Sequence, residues 1–335
     1  MSERVQIWIG IIITILCVGA VLWIVDLGQV FAALQSADWQ IVILPVVVCQ
    51  VVFMALRAWR WRLMLGRRVR YWPLFHAQNV GYLITNLLPF RLGDLARSYL
   101  IGLEPGDDRP DMSAALSSVI LERVLDVLMI SIFFGVAAPL APALPGQMGL
   151  VGALFGGAAV AGFVGMLLAA VNRSWVLRAA RWVLARAKRP EADAEVWIRR
   201  VASFLDGFHS LTLWRLLLPV LGLSLVLWLC ILVAYYVGLG GFWPGVTWPA
   251  ALFTLCAAAF AVSAPSSPGF VGVFHGAVLL GLSVFPATHE QALGFAIVYH
   301  ATTYLVILVL GLVGLWQSGR SLGSIVRATR NLSRA

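Results

Sequence analysis

The residues best suited to chemistry are charges set in otherwise apolar sequence. Glu122-Arg123-Val-Leu-Asp126 places two carboxylates four residues apart, which is one face of a helix, and Arg123 three residues from Asp126, close enough to pair. Arg91, Asp94 and Arg97 follow the break at Pro89. A charge inside a membrane segment costs ~2.5–3.5 kcal/mol on insertion scales, so each of these is a functional candidate. Pro89 ends one half-helix and Arg91-Leu-Gly-Asp-Leu-Ala-Arg97 opens the next. The free N–H groups of a helix start suit phosphate or carboxylate. Arg91 and Arg97 either grip such an anion or snorkel to the surface. Asn86 offers an amide from the preceding arm, and Asp94 caps the helix or orients an arginine. The Glu122–Asp126 set reads either as a static ion network or as carboxylates that take up a proton or release an arginine.

A second break, Ser263-Ala-Pro-Ser-Ser-Pro-Gly-Phe-Val-Gly272, carries hydroxyls but no charge. Ser266 and Ser267 offer polar groups there, while Gly269 and Gly272 allow close backbone approach. His275 lies one to two turns further on, and His300 and Tyr304 share a face of the last long helix. There is no G-x-S-x-G, H-E-x-x-H or P-loop and no Cys/His cluster with metal spacing, so neither a metal nor any other cofactor is expected.

The elements that position these residues belong to a membrane protein. Hydrophobic residues make up 61% of the chain and charged residues 12%, against roughly 25% charged in soluble chains. Mean hydropathy is +0.91. Apolar runs long enough to cross ~30 Å of hydrocarbon recur along the length. The first, 5–25, lacks a signal-peptide cleavage site and is kept as a helix. Cys17, Cys49, Cys230 and Cys256 all sit in apolar runs and read as small core residues.

Charge distribution orients the spans. Six arginines lie between Arg57 and Arg70, eight basic residues between Arg173 and Arg200, and four arginines after Gly319. The connections 26–38, 139–148, 239–248 and 286–290 carry no Lys or Arg. That asymmetry is the positive-inside pattern and excludes a nucleic-acid reading of the +9 net charge. Both termini are then cytoplasmic. Spans over 5–25, 39–58, 113–138, 149–171, 214–238 and 291–317 leave two stretches, 72–102 and 249–286, that begin and end on one side.

The expected fold is therefore an all-α polytopic membrane protein with about six full spans and two interrupted re-entrant hairpins. One hairpin enters from inside and the other from outside, as an inverted-topology repeat would give. For 249–286, two full spans satisfy the same parity. The chain 1–335 reads as one transmembrane domain. A first half, 5–171, and a second, 214–317, are joined by a basic amphipathic segment, 172–213, and followed by a cytoplasmic tail, 318–335. Small-residue faces such as 152–165 suit helix packing within one chain or in a homo-oligomer.

Three motifs carry a family resemblance: Asn86-Leu-Leu-Pro-Phe-Arg-Leu-Gly-Asp with Arg97, Ser118 with Glu122-Arg123-x-x-Asp126, and Ser267-Pro-Gly-x-x-Gly272. In these the chain resembles the flippase-like family that includes the transmembrane region of lysylphosphatidylglycerol synthase, over roughly residues 5–320. The resemblance implies movement of lipids across a bacterial inner membrane. The family's pattern after the second break often reads P-G-G-x-G-V-x-E; Phe270 and His275 stand here in place of the second Gly and the Glu. With its end at Ala335, the chain is expected to be the transport module without an aminoacyl-transferase domain. The function expected is a lipid flippase or transporter for an anionic or phospho-headgroup lipid. A membrane-embedded headgroup transferase or hydrolase is the alternative, as is a scaffold that recruits lipid-synthesis enzymes through 173–209.

Overall fold

The computed structural model describes residues 12, 18–19, 23, 25–37, 39–67, 69–88, 92–104, 110–142, 146–186, 191–206, 208, 213–263 and 268–334. Most of the first apolar run, together with Arg91, Ser266 and Ser267, lies outside these residues. Among the described residues the chain is all-helical: a polytopic membrane protein with four helices long and apolar enough to span on composition alone.

The first half runs α1 (Leu27–Ser36), α2 (Trp39–Met64), α3 (Tyr71–Leu87), α4 (Leu92–Gly102), α5 (Met112–Ala137) and α6 (Gly146–Val171). Two polar-faced helices follow, α7 (Arg173–Arg186) and α8 (Glu191–Asp206). The second half runs α9 (Trp214–Gly240), α10 (Trp248–Ser263), a single 3-10 turn at Pro268–Phe270, α11 (Val273–Leu282) and α12 (His289–Ser318), and α13 (Leu322–Arg334) closes the chain.

Local chemistry sets many of the boundaries. Asp26 caps α1 by accepting from the Gly28 N–H at 2.8 Å, and Asp111 caps α5 by accepting from Ala114 at 2.9 Å. Thr288 and Gln291 form a reciprocal box at the start of α12, and Gly319 ends it in the left-handed conformation.

The two halves have matching element orders. A 26-residue helix, arms of 17 and 11 residues and a 26-residue helix (α2 to α5) correspond to a 27-residue helix, arms of 16 and 10 and a 30-residue helix (α9 to α12). Their packing is reciprocal. α2 lies against α9, while α12 packs on α3 and α5 packs on α10. Each arm pair folds as a hairpin, α3 on α4 and α10 on α11. The first hairpin closes through Gly81 and Gly93: a Cβ on Gly81 would lie 2.8 Å from the Gly93 carbonyl oxygen, and one on Gly93 would overlap the Gly81 carbonyl. Close backbone approach of this kind drives helix association where lipid leaves no hydrophobic force between helices.

Three expectations change. The connection 26–38 holds a capped helix, α1. The span read as 39–58 continues to Met64, carrying Arg57 and Arg60 on helical turns instead of releasing them to the surface. The tail forms α13, which seats Ile325 and Thr329 against the protein beside α4.

Candidate functional site

α5 supplies the centre of the site. Glu122 is fully buried and Asp126 nearly so, on the face turned toward α2 and α4. From α2, the Arg57 guanidinium donates to both: its Nε lies 3.0 Å from Glu122 Oε1, its Nη2 also contacts that oxygen, and Nη2 reaches Asp126 Oδ2 at 2.7 Å. One turn on, Arg60 donates to Asp126 Oδ1 at 2.9 Å and across to the Ser224 hydroxyl of α9, also at 2.9 Å. From α4, Arg97 donates to Glu122 Oε2 and Oε1 at 3.2 and 3.1 Å. Trp61 floors the cluster, with its Nε1 donating to Ser118 Oγ at 2.9 Å and its ring 4.9 Å from the Arg97 guanidinium.

Arg123 turns away from this pair of carboxylates. It does not pair with Asp126, although the spacing allowed it. The Arg57 and Arg60 guanidiniums occupy Asp126, and Arg123 instead grips Asp94 bidentately, with Nη2 at 3.0 Å from each oxygen. Asp94 also holds Arg97 at 3.1 Å, so this carboxylate orients arginines. Four guanidiniums thus face three carboxylates, leaving one positive charge over among the described residues. Arg97 is the candidate most altered by the fold: it is buried behind Glu122 and Asp94 and does not border open space. Arg123 has 31% of its side chain exposed, far more than the others.

That exposure is to a cavity of about 470 Å³ between the halves. Arg57, Arg123 and Asp126 make its charged end, and Phe53, Trp228 and Ile307 contribute to its apolar walls. Four polar groups on its lining are buried without a hydrogen-bond partner among the described residues: Tyr82 Oη, Asn86 Nδ2, His300 Nδ1 and Tyr304 Oη. Such groups cost about 1–3 kcal/mol each when left unmade, so the space is arranged for a polar ligand or water.

The second break forms the far wall through Ser263, Phe270 and Phe274. Its backbone is left-handed at Gly269 (φ 72°), Phe270 (φ 56°) and Gly272 (φ 83°). Tyr304 packs so closely on Gly269 that a Cβ there would collide with its hydroxyl. His275 does not border the cavity; its Nδ1 accepts from the Gly272 N–H at 3.4 Å, and its ring stacks on His300 with centroids 5.1 Å apart.

The family described as the lysylphosphatidylglycerol synthase TM region matches residues 7–311. The chain belongs to that family. A relative described as a UPF0104 membrane protein, from Methanothermobacter thermautotrophicus, is 24% identical over 337 residues, covering 93% of this chain and 95% of its own length. No solved structure matches. Membership makes the chain a multi-pass membrane module related to lipid metabolism.

Within this family member, sequence reading missed Arg57, Arg60, Trp61 and Tyr82. The arginines were hidden in a basic run that the charge rule assigns to the surface. One signal was available: Arg57, Arg60 and Trp61 fall at helical spacing directly after an unbroken apolar helix. Two of them on one face, continuous with a span, are placed to turn inward.

Proposed function

We propose that this protein is a lipid flippase or lipid transporter that holds an anionic headgroup at the Arg57–Arg123 end of the cavity and passes it between the two halves. The observation that carries this reading is the cavity itself. It joins a charge cluster with one positive charge left over among the described residues to largely apolar walls, and Asn86 from the first hairpin and Ser263 and Phe270 from the second line it. A ligand with one anionic headgroup and a hydrocarbon tail matches that asymmetry.

The reciprocal packing of α12 on α3 and α5 on α10 supports a two-fold arrangement of inverted halves, with α3–α4 and α10–α11 as re-entrant hairpins that enter from opposite faces. Rocking of the halves would expose the cavity alternately. The arginine-rich segments support a cytoplasmic side of the inner membrane for both termini.

The test is reconstitution into liposomes with fluorescent phospholipids of anionic and zwitterionic headgroup, following leaflet exchange by quenching from outside. Wild type is expected to accelerate exchange of the anionic lipid and Arg123→Gln to slow it at least tenfold. Equal rates for the two proteins overturn the site. Headgroup turnover by purified protein without redistribution overturns transport in favour of a transferase or hydrolase.

A further inference from the structure

The segment between the halves has a feature that the cavity does not use. α7 carries Arg173, Arg178, Arg181 and Arg186 and no acidic residue. Arg173 pairs with Asp206 at 3.2 Å, and the other three make no ion pair among the described residues. Trp175 and Trp182 are more than 60% exposed, and at helical spacing they share one face with Arg178 and Arg186. The Arg186 guanidinium sits 5.1 Å above the Trp182 ring, so cation and indole present together. The opposite face is accounted for: Val176 and Leu177 pack against the cluster that contains Leu205 and Phe208.

The covalent connection says what lies against the open face. α6 is the least buried of the candidate spans, with Leu150, Leu154, Val160, Leu168 and Val171 exposed, so it faces hydrocarbon. α7 begins two residues after α6 ends, and the turn is tied by Asn172 N–H to Leu168 O and Trp175 N–H to Asn172 O, both 2.9 Å. The Trp/Arg face therefore starts at the level where a lipid-exposed span leaves the apolar layer. Indole rings favour that interface and guanidiniums favour its phosphates.

We propose that α7 is an in-plane docking helix for anionic lipid: Trp175 and Trp182 sit among the headgroups, while Arg178, Arg181 and Arg186 neutralise their phosphates. The occupant is the surface of an anionic bilayer, chosen by charge complementarity and by the attachment to α6. The docking reaches the site helix as well. α8 packs between α7 and α5, and its Ser203 hydroxyl donates to Asp111, the residue that caps α5. This proposal is independent of whether the cavity transports lipid.

The test uses full-length protein with Val183→Cys, an exposed position next to Trp182, in a background with Cys17, Cys49, Cys230 and Cys256 changed to Ala. An environment-sensitive dye is attached there, and the protein is reconstituted into phosphatidylcholine vesicles with or without about one-third phosphatidylglycerol. A blue shift of several nanometres is expected only with the anionic lipid. It should reverse when salt is raised from about 0.1 to about 1 M, because the Debye length falls from about 10 to about 3 Å. Arg178→Gln, Arg181→Gln and Arg186→Gln together should remove it. As a second measurement free of the cysteine background, that triple variant should retain at least threefold less phosphatidylglycerol than wild type after purification in mixed micelles. Identical emission in the two vesicle types, a shift produced by added oligonucleotide or acidic protein but not by lipid, or unchanged lipid retention overturns the proposal.

Discussion

The first break, between α3 and α4, is braced by seven ionised side chains from α2, α4 and α5, whereas residues 248–282, spanning the second, contain no Asp, Glu, Lys or Arg at all. Matching arms are thus held by different forces. At the first break, each sealed charge is tolerated because others neutralise it, so the buried members depend on one another. At the second, left-handed backbone at three positions and an aromatic packing against α12 define the turn. A turn without ions can change shape without stranding a charge; on the transport reading proposed above, that suits the second break to the moving wall of the cavity and the first to the fixed one.

The sharpest way to break this comparison is Glu122→Gln. Glu122 is the shared acceptor for Arg57 and Arg97, and removing its charge leaves both buried guanidiniums underpaired. Breaking one partner of a buried ion network costs about 3–5 kcal/mol. Thermal unfolding in detergent should show a large loss of folded protein, and a melting temperature equal to wild type would mean the first break is not charge-braced. The corresponding strike at the second break needs only a methyl group. Gly269→Ala forces a left-handed non-glycine residue and drives a Cβ into Tyr304, for a loss of about 2 kcal/mol. Adding Tyr304→Phe, which removes the colliding hydroxyl and keeps the ring, should recover much of the collision part and leave the backbone part; a double variant no more stable than Gly269→Ala alone would place the strain elsewhere.

How much of this was visible beforehand follows the same division. The hairpins were legible because Pro and Gly interrupt apolar runs, and the arms Tyr71–Leu87 and Trp248–Ser263 fall where those interruptions place them. Glu122, Asp126 and Asp94 were legible as charges in apolar sequence. Their partners were not, since pairing across helices depends on which faces meet. Arg123 had a carboxylate three residues away and took one from α4 instead, because Arg57 and Arg60 already saturate Asp126. Arg57 and Arg60 looked like surface arginines because a charge count along the chain cannot see a helix continuing inward past its apolar run. The role of His275 as a weak cap on the second hairpin, stacked on His300, required the fold of α11 on α12.

Arg123 sharpens the contrast inside the first break. Its bidentate partner Asp94 sits in the first turn of α4, and its side chain is partly open to the cavity, so Arg123→Gln should destabilise by no more than about 1 kcal/mol. On the proposed function, anionic-lipid exchange in liposomes should nevertheless fall at least tenfold, equivalent to about 1.4 kcal/mol in the barrier. Arg97→Gln should give the reverse balance, losing folded protein first, because Arg97 is sealed between Glu122 and Asp94. A variant pair with equal stability losses would erase the distinction between the bracing arginine and the ligand-facing one.

The finest test lies at Phe270, where a bulky residue holds φ 56°. Replacing the ring removes its packing on the cavity wall whatever the new residue is, so a comparison of Phe270→Ala with Phe270→Gly isolates the backbone. In extended or right-handed backbone Ala is the more stable of the two by about 0.5–1 kcal/mol, since glycine loses more freedom on folding. In the left-handed region the side chain costs about 1–2 kcal/mol that glycine escapes, which outweighs that entropy and reverses the order. Phe270→Gly should therefore melt above Phe270→Ala, by an amount near 1 kcal/mol at the midpoint. If Ala proves the more stable, the turn is not held by left-handed backbone, and the uncharged break must owe its shape to the rings of Phe274, His300 and Tyr304 instead.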